Sequence, residues 1–360
     1  MIRALITRYE DDLKLFPDTW HKVGLVLFGV LLMLFPFWAS AKWLTVGNLA
    51  LIYIVASVGL MVLSGFAGQI SLGHAAFLAL GGYTTAILGH RYQLPWWLIL
   101  PIAGFVAAAV GVGISFFALR LRGLYLAIVT IGLLYLVHHV LHSLPEYTGG
   151  SAGISVPIYS WFGESKEQAA DIYAKAAYGP IILDFPQKLY YIFLAIALVC
   201  IWMGKNLRRS NIGRAMMAVR DQDLAEDALG VKPAPAKVVA FAISSFLGGM
   251  AGVMYAMQQQ YLTVDPFHLG MSVEFIAIIV IGGVGTNFGA VAGAITFAVL
   301  VPLAEVLGDV VPYLDRLPSA QQSTVLFSVL VCVVLIAEPT GLLGVWLRIK
   351  RYFAAWPFRY

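Results

Sequence analysis

Residues 46–63 read VGNLALIYIVASVGLMVL, eighteen positions without a single charge. As a helix this stretch rises about 27 Å, close to the roughly 30 Å hydrocarbon core of a bilayer. It is a membrane span. Comparable runs flank it at about 23–38, 70–90, 96–119, 123–144, 188–204, 238–257, 272–301 and 322–337. Across all 360 residues 60% are apolar and only 12% are charged, too few to cover a soluble globule of this size with polar surface. The expected fold is an all-α polytopic membrane protein with eight to ten transmembrane helices. The run 272–301 is too long for one simple span. Its Gly282-Gly283-Val284-Gly285 break predicts two shorter helices or a re-entrant pair.

Charge distribution orients these spans. With the N-terminus in the cytoplasm and 272–301 crossing twice, 17 of the 23 Lys and Arg residues fall inside and 6 outside. That is the bias the positive-inside rule requires. The resulting division is a cytoplasmic N-terminal segment 1–22, a transmembrane domain 23–337 and a cytoplasmic tail 338–360. Within the domain, 145–187 is extracytoplasmic and 205–237 is a cytoplasmic loop. Ala39-Ser40-Ala41 after the first run has the outline of a cleavage site, but the preceding segment is too long and not net positive for a signal peptide.

Small residues recur every fourth position at Ala103, Ala107, Gly111, Ser115, at Ser244, Gly248, Gly252, Ala256, and at Gly285, Gly289, Gly293. Such strips let helix backbones approach closely where lipid supplies no hydrophobic drive for association. They read as packing faces. Cys200 and Cys332 lie in apolar runs and read as small hydrophobes.

No G-x-x-x-x-G-K-[ST] loop occurs, so no P-loop nucleotide site is expected on this chain. His138, His139 and His142 lack a nearby acidic third ligand, and read as interfacial or packed rather than metal-binding. Nothing suggests nucleic-acid binding. Gradient-coupled transporters carry carboxylates at mid-membrane. The one candidate here, Glu274, sits near the outer end of its run, so ion coupling is poorly supported. An intramembrane enzyme would need a paired base and nucleophile or a metal set, and neither is found.

The loop 205–237, KNLRRSNIGRAMMAVRDQDLAEDALGVKPAPAK, reads as two short helices. In the second, Asp221 serves as N-cap, Asp223 and Glu226 favour the positive end of the dipole, and Leu224, Ala225, Ala228 and Leu229 share a face. Gly230 ends it, and Pro233 and Pro235 forbid continuation. Spacing alone leaves two readings: a helix on the membrane surface, or a docking element for a soluble partner.

The stretch GRAMMAVRDQDLAEDALGV resembles the cytoplasmic loop of permease subunits of branched-chain amino acid ABC importers, the LivM type. From Ser64, SGFAGQISLGHAAFLALGGY resembles that family's glycine-rich signature, and from Ser272, SVEFIAIIVIGGVGTNFGAVAGA its penultimate region. Residues 123–127, 148–154 and 339–344 also fit. The segment 155–187 is longer than is usual in the family, and Ala152 stands where an acidic residue is usual. The resemblance implies a permease fold akin to the vitamin B12 importer class, in a bacterial inner membrane. It also implies a related second permease subunit, two cytosolic ATPase subunits and an extracytoplasmic solute-binding protein. ATP and magnesium would be bound by the ATPases, leaving this chain without cofactor. Asp221, Leu224, Ala225, Glu226, Ala228, Leu229 and Gly230 would then form the coupling helix. Branched-chain amino acids lead as substrate, with other amino acids, urea, short amides and aromatic acids behind. A gradient-driven secondary transporter trails.

Independently of the family, Gly65, Gly68, Gln69, Ser71 and His74 are candidate pathway lining, because polar groups and broken helix have no place against lipid. Ser71 is expected to cap the helix that follows. Thr286 and Asn287 are expected to play a similar part at the second glycine-rich break. Tight packing by the glycines is the alternative.

Overall fold

A computed structural model describes residues 19–121, 123–158, 176–178, 181–221, 233–308, 319–338 and 340–355. Only the last residues of the N-terminal segment 1–22 fall within this set, and 159–175 of the segment 145–187 lie outside it. The chain folds as α1 (Thr19–Trp38), α2 (Ala41–Leu60), α3 (His74–Tyr92), α4 (Trp96–Ala118) and α5 (Leu124–Ser143). A short α6 (Pro145–Thr148) and the two-residue β1 (Ile154–Ser155) follow, then a hairpin of β2 (Ala176–Tyr178) and β3 (Ile181–Leu183). Next come α7 (Phe185–Arg209), α8 (Asn211–Asp221), α9 (Pro233–Gln259) and β4 (Tyr261–Leu262), which pairs antiparallel with β1. The chain closes with α10 (Leu269–Gly282), α11 (Asn287–Gly308), α12 (Ser319–Ala337) and α13 (Leu342–Ala355).

Among the described residues, α2 with its extension to Phe66, α4, α5, α7 and α9 are each long and apolar enough to cross a bilayer. The pair α10 and α11, bent by 118°, counts as a sixth. The eight to ten runs of the sequence therefore include several that this measure passes over. α3 is one, with 19 residues that include Gly81, Gly82, Thr84, Thr85, His90 and Arg91. It is mostly buried by α9, α4 and α5, so neighbouring protein, not its own side chains, separates it from lipid. The apolar parts of α1 and α12 are shorter, Leu27–Trp38 and Val325–Val334.

α9 is the axis of the bundle, packing along α4, α3 and α2. Its small residues allow this. A Cβ on Gly249 would lie 2.7 Å from the Ala103 carbonyl on α4, and one on Gly252 would collide with the Leu78 carbonyl on α3. Ala103, Ala107, Gly111 and Ser115 are all buried, and the site of a Cβ on Gly111 is occupied by Ser245 Oγ. The first two small-residue strips are thus packing faces, as expected. In the third, Gly289 and Gly293 press on α10, whereas Gly285 belongs to the turn before α11.

α1 is attached differently. Pro36 supplies no N–H for the Leu32 carbonyl, and Tyr190 Oη on α7 donates to that carbonyl at 3.1 Å. Tyr191 Oη donates to Met33 O at 2.8 Å and Gln187 Nε2 to Pro36 O at 2.7 Å. Gln187 Oε1 also accepts the Asp184 N–H at 3.0 Å, closing the start of α7. Below these contacts an apolar crevice of about 300 Å³ opens between α1, α2, α7 and α11, lined by Phe28, Trp43, Ile54, Leu194 and Val291 among others.

This packing predicts that Gly252→Leu loses about 1–3 kcal/mol or more through overpacking. Gly113→Leu, where a Cβ meets nothing within 4 Å, should stay within about 0.5 kcal/mol. Thermal inactivation of the detergent-solubilised protein distinguishes the two.

Candidate functional site

α2 does not stop at Leu60; its last turn, Met61–Phe66, is π-helical. Wide turns of this kind loosen the ladder and occur often at functional positions. Gln69 N donates to Leu63 O at 3.1 Å and Ser64 Oγ to Gln69 O at 3.0 Å, so the freed groups are satisfied within the turn. Gly68 has φ +66°, which a side chain rarely adopts. Here the chain reverses into α3.

A second break faces it. Between α10 and α11, Gly283 and Gly285 have φ +112° and +85°. Thr286 then caps α11, its Oγ1 accepting the Gly289 N–H at 3.1 Å. Asn287 Nδ2 donates to Ile201 O on α7 at 3.1 Å. The two breaks touch: a Cβ on Gly65 would lie 2.9 Å from Gly285 N.

Arg220 on α8 fills the remaining space. Its Nη1 donates to the Gly65 carbonyl at 2.5 Å. A Cβ on Gly68 would come within 2.7 Å of Arg220 Cγ, and one on Gly285 within 3.2 Å of Nη1. The arginine therefore occupies a socket walled by glycine backbone from both breaks. The segment after α12 closes the far side. A Cβ on Gly283 would lie 2.8 Å from Leu343 Cβ, Thr340 Oγ1 donates to Glu338 Oε1 at 2.9 Å, and Arg348 Nη2 pairs with Glu338 Oε2 at 2.6 Å. Four separate motifs of the sequence thus meet at one end of the bundle.

Of the residues singled out from sequence, Gly65, Gly68 and Gln69 lie in this junction, with Thr286 and Asn287 beside it. Ser71 and His74 are fully buried. His74 Nε2 is 3.0 Å from the Ala56 carbonyl, with its ring edge-on to Phe275 at 5.5 Å between centroids. Ser71 does not cap α3. The N-cap is Gly73, and Ser71 Oγ accepts only the Gly73 N–H, at 3.4 Å, because the chain turns before the hydroxyl can reach the first helical turn. Asp221, expected to begin a second loop helix, is the last residue of α8. The remaining coupling residues, Leu224, Ala225, Glu226, Ala228, Leu229 and Gly230, lie outside the described residues.

Sequence reading missed Arg220 and Thr130. Thr130 Oγ1 accepts the Leu72 N–H at 3.0 Å, and Gly73 abuts its carbonyl. An arginine in the last turn of an amphipathic helix, in a chain with two glycine-rich breaks, was the available signal for the first. Thr130 sits in an apolar run and gave none. His138 of the histidine trio is packed, its Nε2 2.7 Å from Phe267 O.

A helical bundle with several spans of membrane length, whose interrupted helices gather beneath a polar loop, defines a polytopic membrane permease. The chain belongs to the family described as branched-chain amino acid transport system / permease component, whose profile matches residues 43–337. It is 35% identical over 332 residues to the high-affinity branched-chain amino acid transport system permease protein LivM of Escherichia coli K12, covering 90% of this chain and 75% of that protein. It is 26% identical over 314 residues to the LivH permease protein of the same organism, covering 81% and 91%. A probable LivM of Methanocaldococcus jannaschii is 24% identical over 156 residues, 42% of this chain and 45% of that protein. No solved structure matches the chain.

Because Gly285 combines a positive φ with contact to Arg220, Gly285→Val should lose about 1–3 kcal/mol through backbone strain. Hydrogen exchange should rise at 61–69 and 283–289 together, since the two breaks support one another. Exchange confined to 283–289 would show the breaks to be independent.

Proposed function

We propose that the chain is one of two related permease subunits of an ATP-driven importer of branched-chain amino acids, coupled through its 205–237 loop to cytosolic ATPases. The carrying observation is the Arg220 socket. Arg220 lies two positions before the 222–230 segment and holds the carbonyl of Gly65, so displacement of the loop acts at once on both helix breaks. The end of the bundle bearing α8 and α13 is the cytoplasmic one, in keeping with the basic residues of the loop and tail. Substrate reaches the opposite end from a solute-binding protein.

Transport follows from this geometry as alternating access. ATP binding closes the ATPase pair and moves the docked loops. Arg220 then shifts the turn 64–69 against the elbow 283–287, and the inner end of the pathway between the two permeases opens or shuts. A π-turn and glycines with positive φ make this region the place where the helices can bend without breaking a regular ladder. The bundle around α9, close-packed at its backbone, moves as a body. Gly65, Gly68, Gln69, Thr286 and Asn287 form the inner gate, and Ser71 and His74 hold its packing. The hydrolytic chemistry belongs to the ATPases.

The test is reconstitution with the partner subunits. Arg220→Ala and Leu224→Glu should each abolish most ATPase stimulation by loaded binding protein. Leu224→Glu should also lose co-purification of the ATPases, because an unpaired charge in a buried contact costs about 3–5 kcal/mol. Arg220→Ala should retain it. Normal stimulation in both variants would place the coupling element elsewhere, and gradient-driven uptake by the isolated chain would overturn the importer reading. Impermeant labelling of single cysteines should reach 145–187 from outside the cell and not 205–237.

A further inference from the structure

The helix α13 takes no part in the coupling mechanism beyond closing the far side of the Arg220 junction, and its composition is unlike that of the spans. From Leu342 to Tyr360 the chain carries four basic residues and no acidic one. Leu342, Val345, Trp346 and Ile349 recur at i, i+3, i+4 and i+7, which sets them on one face of the helix, and Tyr352 continues it. At about 100° per residue, Arg351 points the opposite way, with Arg348 and Lys350 at the two borders. Nothing in the described chain covers the apolar face: Val345, Trp346, Ile349 and Tyr352 are all exposed.

Two observations identify what lies against it. Trp346 stacks on Phe288 in the first turn of α11, with 5.8 Å between ring centroids. Phe288, Ile295 and Val299, at i, i+7 and i+11, form an exposed apolar strip along α11, which belongs to the bent span pair. The face of α13 therefore continues the outward surface of a span at its end. Charge is the second guide. Basic side chains bordering an apolar face that holds a tryptophan suit the boundary where headgroup phosphates meet hydrocarbon.

The start of α13 is pinned to the site already described. A Cβ on Gly341, where φ is +67°, would collide with the Ile281 carbonyl of α10, and Leu343 abuts Gly283 in the elbow between α10 and α11. Arg348 is committed to Glu338, which leaves Lys350 and Arg351 to meet phosphate. We propose that α13 lies in the headgroup layer of the cytoplasmic leaflet and binds anionic phospholipid through Lys350 and Arg351, so that membrane charge biases the elbow 283–287. The choice of leaflet and the effect on transport rest on the function proposed above; the binding itself does not.

The experiment places the full complex in nanodiscs of phosphatidylcholine with increasing phosphatidylglycerol. Anionic lipid should raise ATPase stimulation by loaded binding protein. The phosphatidylglycerol content needed for half of that gain should rise about fivefold or more in Lys350→Gln/Arg351→Gln, because each basic residue near an anionic surface strengthens attachment. Raised salt should imitate the double substitution. A solvatochromic probe on Ile349→Cys reads binding without transport, in a Cys332→Ala background, Cys200 being buried. Its emission should shift to the blue as phosphatidylglycerol is added, and the shift should be lost with the two glutamines present. Emission that ignores phosphatidylglycerol, or shifts equally in the double variant, overturns the proposal. Loss of the ATPases or of the sister permease on purification of an Ile349→Glu variant also overturns it, marking the face as a subunit contact. If the probe responds as expected while loaded binding protein stimulates no ATPase in any lipid, the importer reading fails and the lipid site stands.

Discussion

Inside a bilayer no backbone N–H or carbonyl can turn to water, so every interruption of a helix must be satisfied by protein. Among the described residues the interruptions at Pro36, at 61–73 and at 283–286 each lie where a neighbour completes them. The carbonyls of Leu32, Met33 and Pro36 accept from Tyr190, Tyr191 and Gln187 respectively. The other two interruptions complete one another and are bridged by Arg220. Their adjacency follows from the constraint: a break exposed alone would be costly, whereas two placed back to back share donors and acceptors. The same economy explains why glycine lines the contact, since any Cβ there would separate the backbones.

Much of this was legible in the sequence, because lipid makes the pattern strong. The uncharged stretch 46–63 yields α2, and the Gly282–Gly285 run falls where α10 and α11 part. The small-residue strips at Ala103 and Ser244 point to helix contacts that exist. What could not be read is which motifs meet. The approach of Arg220 to Gly65 joins residues 155 positions apart, and no local propensity encodes it. α3 shows a second limit. Its polar content makes it a poor span by composition, yet it sits inside the bundle because α9 offers a glycine face at Gly252. Ser71 illustrates a third, since capping depends on a turn geometry one residue out of reach.

A division of labour follows. The axis around α9 is rigid because glycines bring backbones and close-fitting side chains into direct contact, leaving little room to readjust. The Arg220 junction is held instead by a few polar contacts and by glycine turns with positive φ, which can change dihedral without steric conflict. Rigid packing and adjustable breaks thus occupy different parts of one chain. Proteins that must open alternately to two sides need both properties, in segregated places.

The attachment of α1 carries a consequence for how the protein is made. Leu32 and Tyr190 are 158 positions apart, so the carbonyl freed by Pro36 finds its partner only after α7 has left the ribosome and entered the bilayer. Until then α1 is without its eventual neighbour, and the exposed carbonyl must be served by the insertion machinery or by water at the membrane surface. Biogenesis therefore contains a waiting step. A segment made well before α7 is locked only after it, and a chain truncated before α7 would leave α1 as an unanchored helix open to membrane quality control.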